Sequence, residues 1–120
     1  MARKMFSMLN LLIVVLIATE SSHAFDFNTP PTKRTSSNGV RNVSFNGPYT
    51  LDAGESVQAV KLVYYISTSN VPGNVQGQFT TTPRNASVTY GDYQLTKFKL
   101  QFTVRRNGVN SVYSTQLYTY

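Results

Sequence analysis

The chain contains no cysteine and no tryptophan, and its one histidine is His23. Without thiols there is no disulfide framework, no thiolate nucleophile and no soft metal ligand. The acids are also few: five Asp and Glu against eleven Lys and Arg. No phosphate-cradling glycine loop is present, and the only sustained apolar run spans residues 8–18, which is too short for a membrane-spanning helix of about 20 residues.

That run follows Arg3 and Lys4 and leads into Ser22-His23-Ala24, the layout of a secretory signal peptide cut before Phe25. Residues 1–24 are therefore expected to be removed, with no membrane span left after cleavage, and with them go His23 and Glu20. Nine bases then face four acids (Asp26, Asp52, Glu55 and Asp92), a net charge of +5 on 96 residues. A small, basic, secreted protein results, extracellular or, in a Gram-negative bacterium, periplasmic or on the cell surface. Asn42 and Asn85 each open an N-x-Ser sequon, which matters only in a eukaryotic secretory pathway.

The missing residues also restrict the chemistry. Serine or threonine nucleophiles lack a histidine base, and a carboxylate pair would need two of only four acids. Asp52 and Glu55 bracket one turn and Asp92 stands in another, so they read as turn formers. No cofactor or metal site is expected, and the protein is read as a non-enzyme. The basic charge is dispersed and no RNA-recognition signature is present, so specific nucleic-acid binding is not expected either.

What is there is strand-forming sequence. Residues 25–38, with Pro30-Pro31 and a Thr, Ser, Asn and Gly cluster, have no sustained apolar period and read as a flexible N-terminal arm. From residue 39 to 120, Val, Tyr, Phe and Thr dominate, punctuated by Gly, Pro, Asn and Asp. Strands are expected over residues 40–45, 49–51, 57–68, 76–82, 86–90, 94–105 and 109–119, and no helix. Seven such strands predict an all-β fold: a small antiparallel β-sandwich, immunoglobulin-like or a related Greek key, with a small barrel as the other solution. The stretch YTLDAGESVQAVKLVYYI, residues 49–66, resembles the strand, turn and strand of many immunoglobulin-like surface domains. The resemblance implies a shape and carries no function.

Within residues 57–68, Val60, Leu62, Tyr64 and Ile66 share the parity assigned to the core. Asn107-Gly108 predicts a two-residue hairpin. Pairing across it sets Phe98 against Leu117, Leu100 against Thr115, Phe102 against Tyr113 and Val104 against Ser111 on the inner side. Outside, Lys97 stands opposite Tyr118, Lys99 opposite Gln116, Gln101 opposite Ser114 and Arg105 opposite Asn110. A one-residue bulge would scramble these faces. Lys97, Lys99, Gln101, Arg105, Gln116 and Tyr118 are thus the candidate ligand-binding residues: cations for an acidic partner, amides for directed hydrogen bonds and an aromatic ring for stacking.

The composition supports a non-catalytic binding or interaction module acting on an extracellular or cell-surface glycan or protein, of the acidic kind that a +5 chain would attract. A structural or assembly subunit is the alternative, because the tyrosine-rich last segment VYSTQLYTY could form oligomers by pairing a strand edge with another chain.

Overall fold

A computed structural model describes residues 25–120. The expected signal peptide lies outside the described residues. Among the described residues nine strands follow in order: β1 (Thr32–Thr35), β2 (Arg41–Pro48), β3 (Glu55–Ile66), β4 (Gly73–Gln76), β5 (Gln78–Thr81), β6 (Arg84–Asp92), β7 (Leu95–Arg106), β8 (Val109–Ser114) and β9 (Tyr118–Thr119). They form two antiparallel sheets, one ordered β1-β2-β6-β5, the other β9-β7-β3-β4 with β8 also on β7. This is the sandwich expected from the alternation. Lettered A, B, C, C′, D, E, F and G, strands β1 to β8 have the order ABED on one sheet and GFCC′ on the other, the immunoglobulin-type Greek key.

The core is aromatic and aliphatic. Phe45, Phe98, Phe102, Leu62, Leu95 and Leu100 are among its fully buried side chains. Where antibody domains link strands B and F by a disulfide, β2 and β7 here meet through Phe45 and Phe98, edge to face with centroids 6.1 Å apart. In β3, Val60 and Leu62 are buried as the alternation requires, while Tyr64 and Ile66 are only half-buried. A bulge between Val57 and Ala59 lets Val57 and Val60 both face inward although they are three residues apart.

The stretch expected as one strand over residues 76–82 holds the last residue of β4, Gln76, and the whole of β5, which lie in different sheets. The chain changes sheets at Gly77, whose N–H donates to the Val60 carbonyl at 2.7 Å. A Cβ at Gly77 would stand 2.9 Å from the Ser87 carbonyl oxygen, so only glycine passes here without displacing backbone. Residues 49–51 form no strand. They contribute an isolated bridge between Thr50 and Asp26 and a buried Tyr49, whose hydroxyl donates to the Thr80 carbonyl at 2.8 Å. Burial raises the Tyr49 pKa, and the nearby Arg84 charge offsets part of that rise.

The segment read as a flexible arm is part of the fold. β1 pairs with β2 from Thr32 opposite Ser44 to Thr35 opposite Arg41. Phe27 is buried, with its ring 5.3 Å from Phe102 and 6.3 Å from Phe45, and Phe25 stacks on Tyr113 at 5.3 Å. Two phenylalanines two residues apart are the shortest form a period of two can take, too short to distinguish from chance in sequence. The carboxyl end fastens the same segment: the Tyr120 hydroxyl is 2.8 Å from Thr35 Oγ1, and Lys33 Nζ donates to the Thr119 carbonyl at 3.1 Å. The Arg41 guanidinium lies 5.4 Å from the Tyr120 ring centroid, a cation–π contact.

Candidate functional site

The site is built on the outer face of the sheet that contains β7 and β3. The Asn107-Gly108 turn forms with both residues at positive φ, 53° and 77°, as a two-residue hairpin of the primed type requires. It sets the expected register: Gln101 opposite Ser114, Phe102 opposite Tyr113, Val104 opposite Ser111 and Arg105 opposite Asn110. On the other side of β7, β3 places Lys61 opposite Gln101, Val63 opposite Lys99 and Tyr65 opposite Lys97. β4 adds Gln76 beside Lys61 and Asn74 beside Val63.

Four of the six expected residues therefore share this face: Lys97, Lys99, Gln101 and Arg105, all on β7 with the same parity. At about 3.4 Å per residue, Lys97 to Arg105 spans about 27 Å. Lys97 and Arg105 are exposed. Lys61 and Lys99 are half-buried, and Val63, beside Lys99, is buried although it faces outward. Aliphatic lysine stems lying along the sheet account for such a pattern, with the ammonium groups at the water. Arg105 Nη1 donates to Asn110 Oδ1 at 3.4 Å.

Gln116 and Tyr118 do not join them. After Ser114 the pairing slips by one residue: Thr115 N–H still donates to the Leu100 carbonyl at 2.9 Å, but Tyr118 pairs with Phe98 and Thr119 with Lys97. The expected opposition of Lys97 to Tyr118 and of Phe98 to Leu117 is corrected accordingly. The Thr115 side chain is the local cause, because its Oγ1 accepts the Leu100 N–H at 2.9 Å in place of a backbone carbonyl. Tyr118 turns inward and stacks on Phe98 at 5.7 Å, and Gln116 joins Tyr118 in lining a separate cavity of about 460 Å³ beside residues 25–28. Tyr118→Ala is thus expected to act on stability: a loss of about 1–3 kcal/mol, read as a lower midpoint in chemical denaturation, with polyanion binding retained by the folded fraction.

Sequence reasoning missed Lys61, Tyr65 and Gln76 as members of the face. The outward parity of Lys61 and Tyr65 was legible in β3, but nothing in the sequence told which strands lie beside β3 or that Gln76 on β4 stands next to Lys61. The acids lie elsewhere. Asp26 and Asp52 are outside the strands, Glu55 is buried at the start of β3, and Asp92 ends β6 in the opposite sheet. Each serves local structure. Asp92 accepts from the Gln94 N–H and the Tyr90 hydroxyl at 2.9 and 3.3 Å, Glu55 Oε1 accepts from the Asp52 N–H at 2.8 Å, and Asp52 pairs with Arg106 at 3.7 Å. Burial, helped by the hydrogen bond with Tyr64, pushes the Tyr90 hydroxyl well above its ordinary pKa. Among the described residues no group of three or more His, Cys, Asp or Glu could hold a metal ion.

Compared with protein-family models, curated proteins and solved structures, the chain matches none. Its face must be interpreted from its own chemistry.

Proposed function

We propose that this protein is a secreted, non-catalytic binding module that holds an acidic extracellular glycan on the outer face of the β7 sheet. The supporting observation is the composition of that face: Lys61, Lys97, Lys99 and Arg105 stand on two adjacent strands, and none of the four acids shares an outward position with them. An acid-free cationic stripe attracts polyanions over a Debye length of about 8 Å at physiological salt. Gln101, Gln76 and Asn74, in register between the cations, supply paired donors and acceptors of the kind that orient sugar hydroxyls.

Assembly through edge pairing has less to support it. β4 has four residues and β5 four, and the β8 edge is broken after Ser114. Short and interrupted edges are poor templates for another chain.

Retention on immobilised heparin and a glycan array read at two salt concentrations test the reading. Replacing Lys61, Lys97 and Lys99 together with Gln is expected to leave the fold intact and to weaken polyanion binding on the order of 10-fold or more, with a shallower salt dependence. Arg34→Gln, an exposed charge on the opposite sheet, is expected to change little. Equal retention of the triple variant and the unaltered protein would overturn the proposal.

A further inference from the structure

At the Lys97 end of the cationic face the surface deepens into a cup of about 280 Å³. One wall is the β3–β4 loop, residues 67–70, and the other is Leu117, which is 50% exposed and is the residue that the register slip turns outward. Tyr65 and Lys97, cross-strand partners on the face itself, line the opening. The cup is thus continuous with the stripe.

Its polar wall is held rigidly. Ser67 has φ of 51°, a left-handed conformation that is uncommon for a residue with a side chain. Ser67 N–H donates to the Gln94 carbonyl at 2.7 Å, and the single Thr96 hydroxyl proton is shared between the Tyr65 and Ser67 carbonyl oxygens, each 3.2 Å from Oγ1. Ser69 Oγ accepts from the Val71 N–H at 3.1 Å. Residues held this way against their intrinsic preference concentrate at ligand clamps.

The chemistry of the lining selects a ligand. The cup has one cation, Lys97, and so one negative charge is matched. A phosphate dianion would draw on several converging cations or N–H donors, and the lining supplies a single ammonium. The hydroxyls of residues 67–69 and the Asn70 amide both donate and accept, which suits vicinal hydroxyls. Tyr65 and Leu117 offer apolar surface to the C–H face of a ring. The volume is near the lower bound for small-molecule sites, room for one ring.

We propose that this cup is a subsite for one carboxylated sugar residue, a uronic or sialic acid unit, with its carboxylate on the Lys97 ammonium and its hydroxyls on the 67–70 loop. The proposal rests on the reading of the β7 sheet as an acidic-glycan face, and it names the unit recognised there. Binding would be weak for one unit, about millimolar, and would be multiplied along a polymer by the neighbouring cations.

Titration of isotope-labelled protein with the methyl glycosides of glucuronic, galacturonic and N-acetylneuraminic acid, followed by amide chemical shifts, tests it. At least one is expected to give saturable shifts in residues 65–70, Lys97 and Leu117, and methyl glucoside and acetate are not. Lys97→Gln and Leu117→Ser, both exposed positions, should each weaken the acidic glycoside 10-fold or more, whereas Lys61→Gln with Arg105→Gln should lower heparin retention and spare the monosaccharide. The three glycosides separate uronic from sialic recognition. Shifts equal with acetate or with the neutral glycoside would overturn the proposal, as would none with any acidic sugar. If heparin retention still depended on Lys61 and Arg105 in that case, the face would stand and the subsite alone would fall. Loss of both responses would remove the face as well.

Discussion

Deletion of residues 25–37 is expected to lower the thermal midpoint by more than about 10 °C, because the segment carries a core side chain as well as an edge strand. Phe27 fills the space between Phe45 and Phe102, and loss of a buried phenylalanine costs about 3–5 kcal/mol. In a domain of this size each kcal/mol moves the midpoint by roughly 4–8 °C. The deletion also strips β1 from β2, removes the Asp26–Thr50 bridge and leaves Tyr120 without Thr35. Differential scanning calorimetry of the deletion alongside Phe27→Ala and Thr35→Ala separates the core from the edge contribution, and Phe27→Ala should account for most of the loss. A midpoint within about 3 °C of the intact protein would mean that the segment is not docked.

Phe45→Ala is expected to cost about 3–5 kcal/mol, a large part of the roughly 5–15 kcal/mol that holds a domain together. Its ring meets Phe27 at 6.3 Å, Phe98 at 6.1 Å and Tyr118 at 5.9 Å, and so it joins the amino-terminal segment, both central strands and the carboxyl end. Without a disulfide to restrict the unfolded chain, the loss at this position is uncompensated. Urea denaturation should show the midpoint falling with an unchanged slope, and Phe45→Leu should recover most of it. In a double-mutant cycle, Phe45 and Phe98 should be non-additive by about 0.5–1.5 kcal/mol, the range for an aromatic pair beyond its buried area. Strict additivity would show that the edge-to-face contact contributes nothing of its own.

Two of the errors in the sequence reading, at the carboxyl-terminal register and at the amino-terminal segment, have one physical origin. A period of two assigns each residue to a face relative to its neighbours in the same strand, and this succeeded for β7, where Phe98, Leu100, Phe102 and Val104 are buried between the outward Lys97, Lys99, Gln101 and Thr103. It gives no warning where an extra residue reverses the faces. The reversal after Ser114 sent Tyr118 inward and Leu117 outward, and so exchanged an expected ligand contact for a core ring. The amino-terminal segment was misread for the complementary reason. Two apolar residues, Phe25 and Phe27, are too few to show a period, and their burial depends on partners some 75 to 90 residues away.

Sequence alone thus determined the all-β sandwich, the hairpin at Asn107-Gly108 and the basic outward stripe on β7, because these follow from local alternation, turn chemistry and charge. Only the tertiary structure decided that Lys61 and Tyr65 stand beside that stripe, that Gly77 splits one expected strand between two sheets, and that β1 and Tyr120 close the sandwich. Each of these is a pairing between residues far apart in the chain. Such pairings are set by which apolar faces can be buried together in one core, and no window of neighbouring residues contains that information.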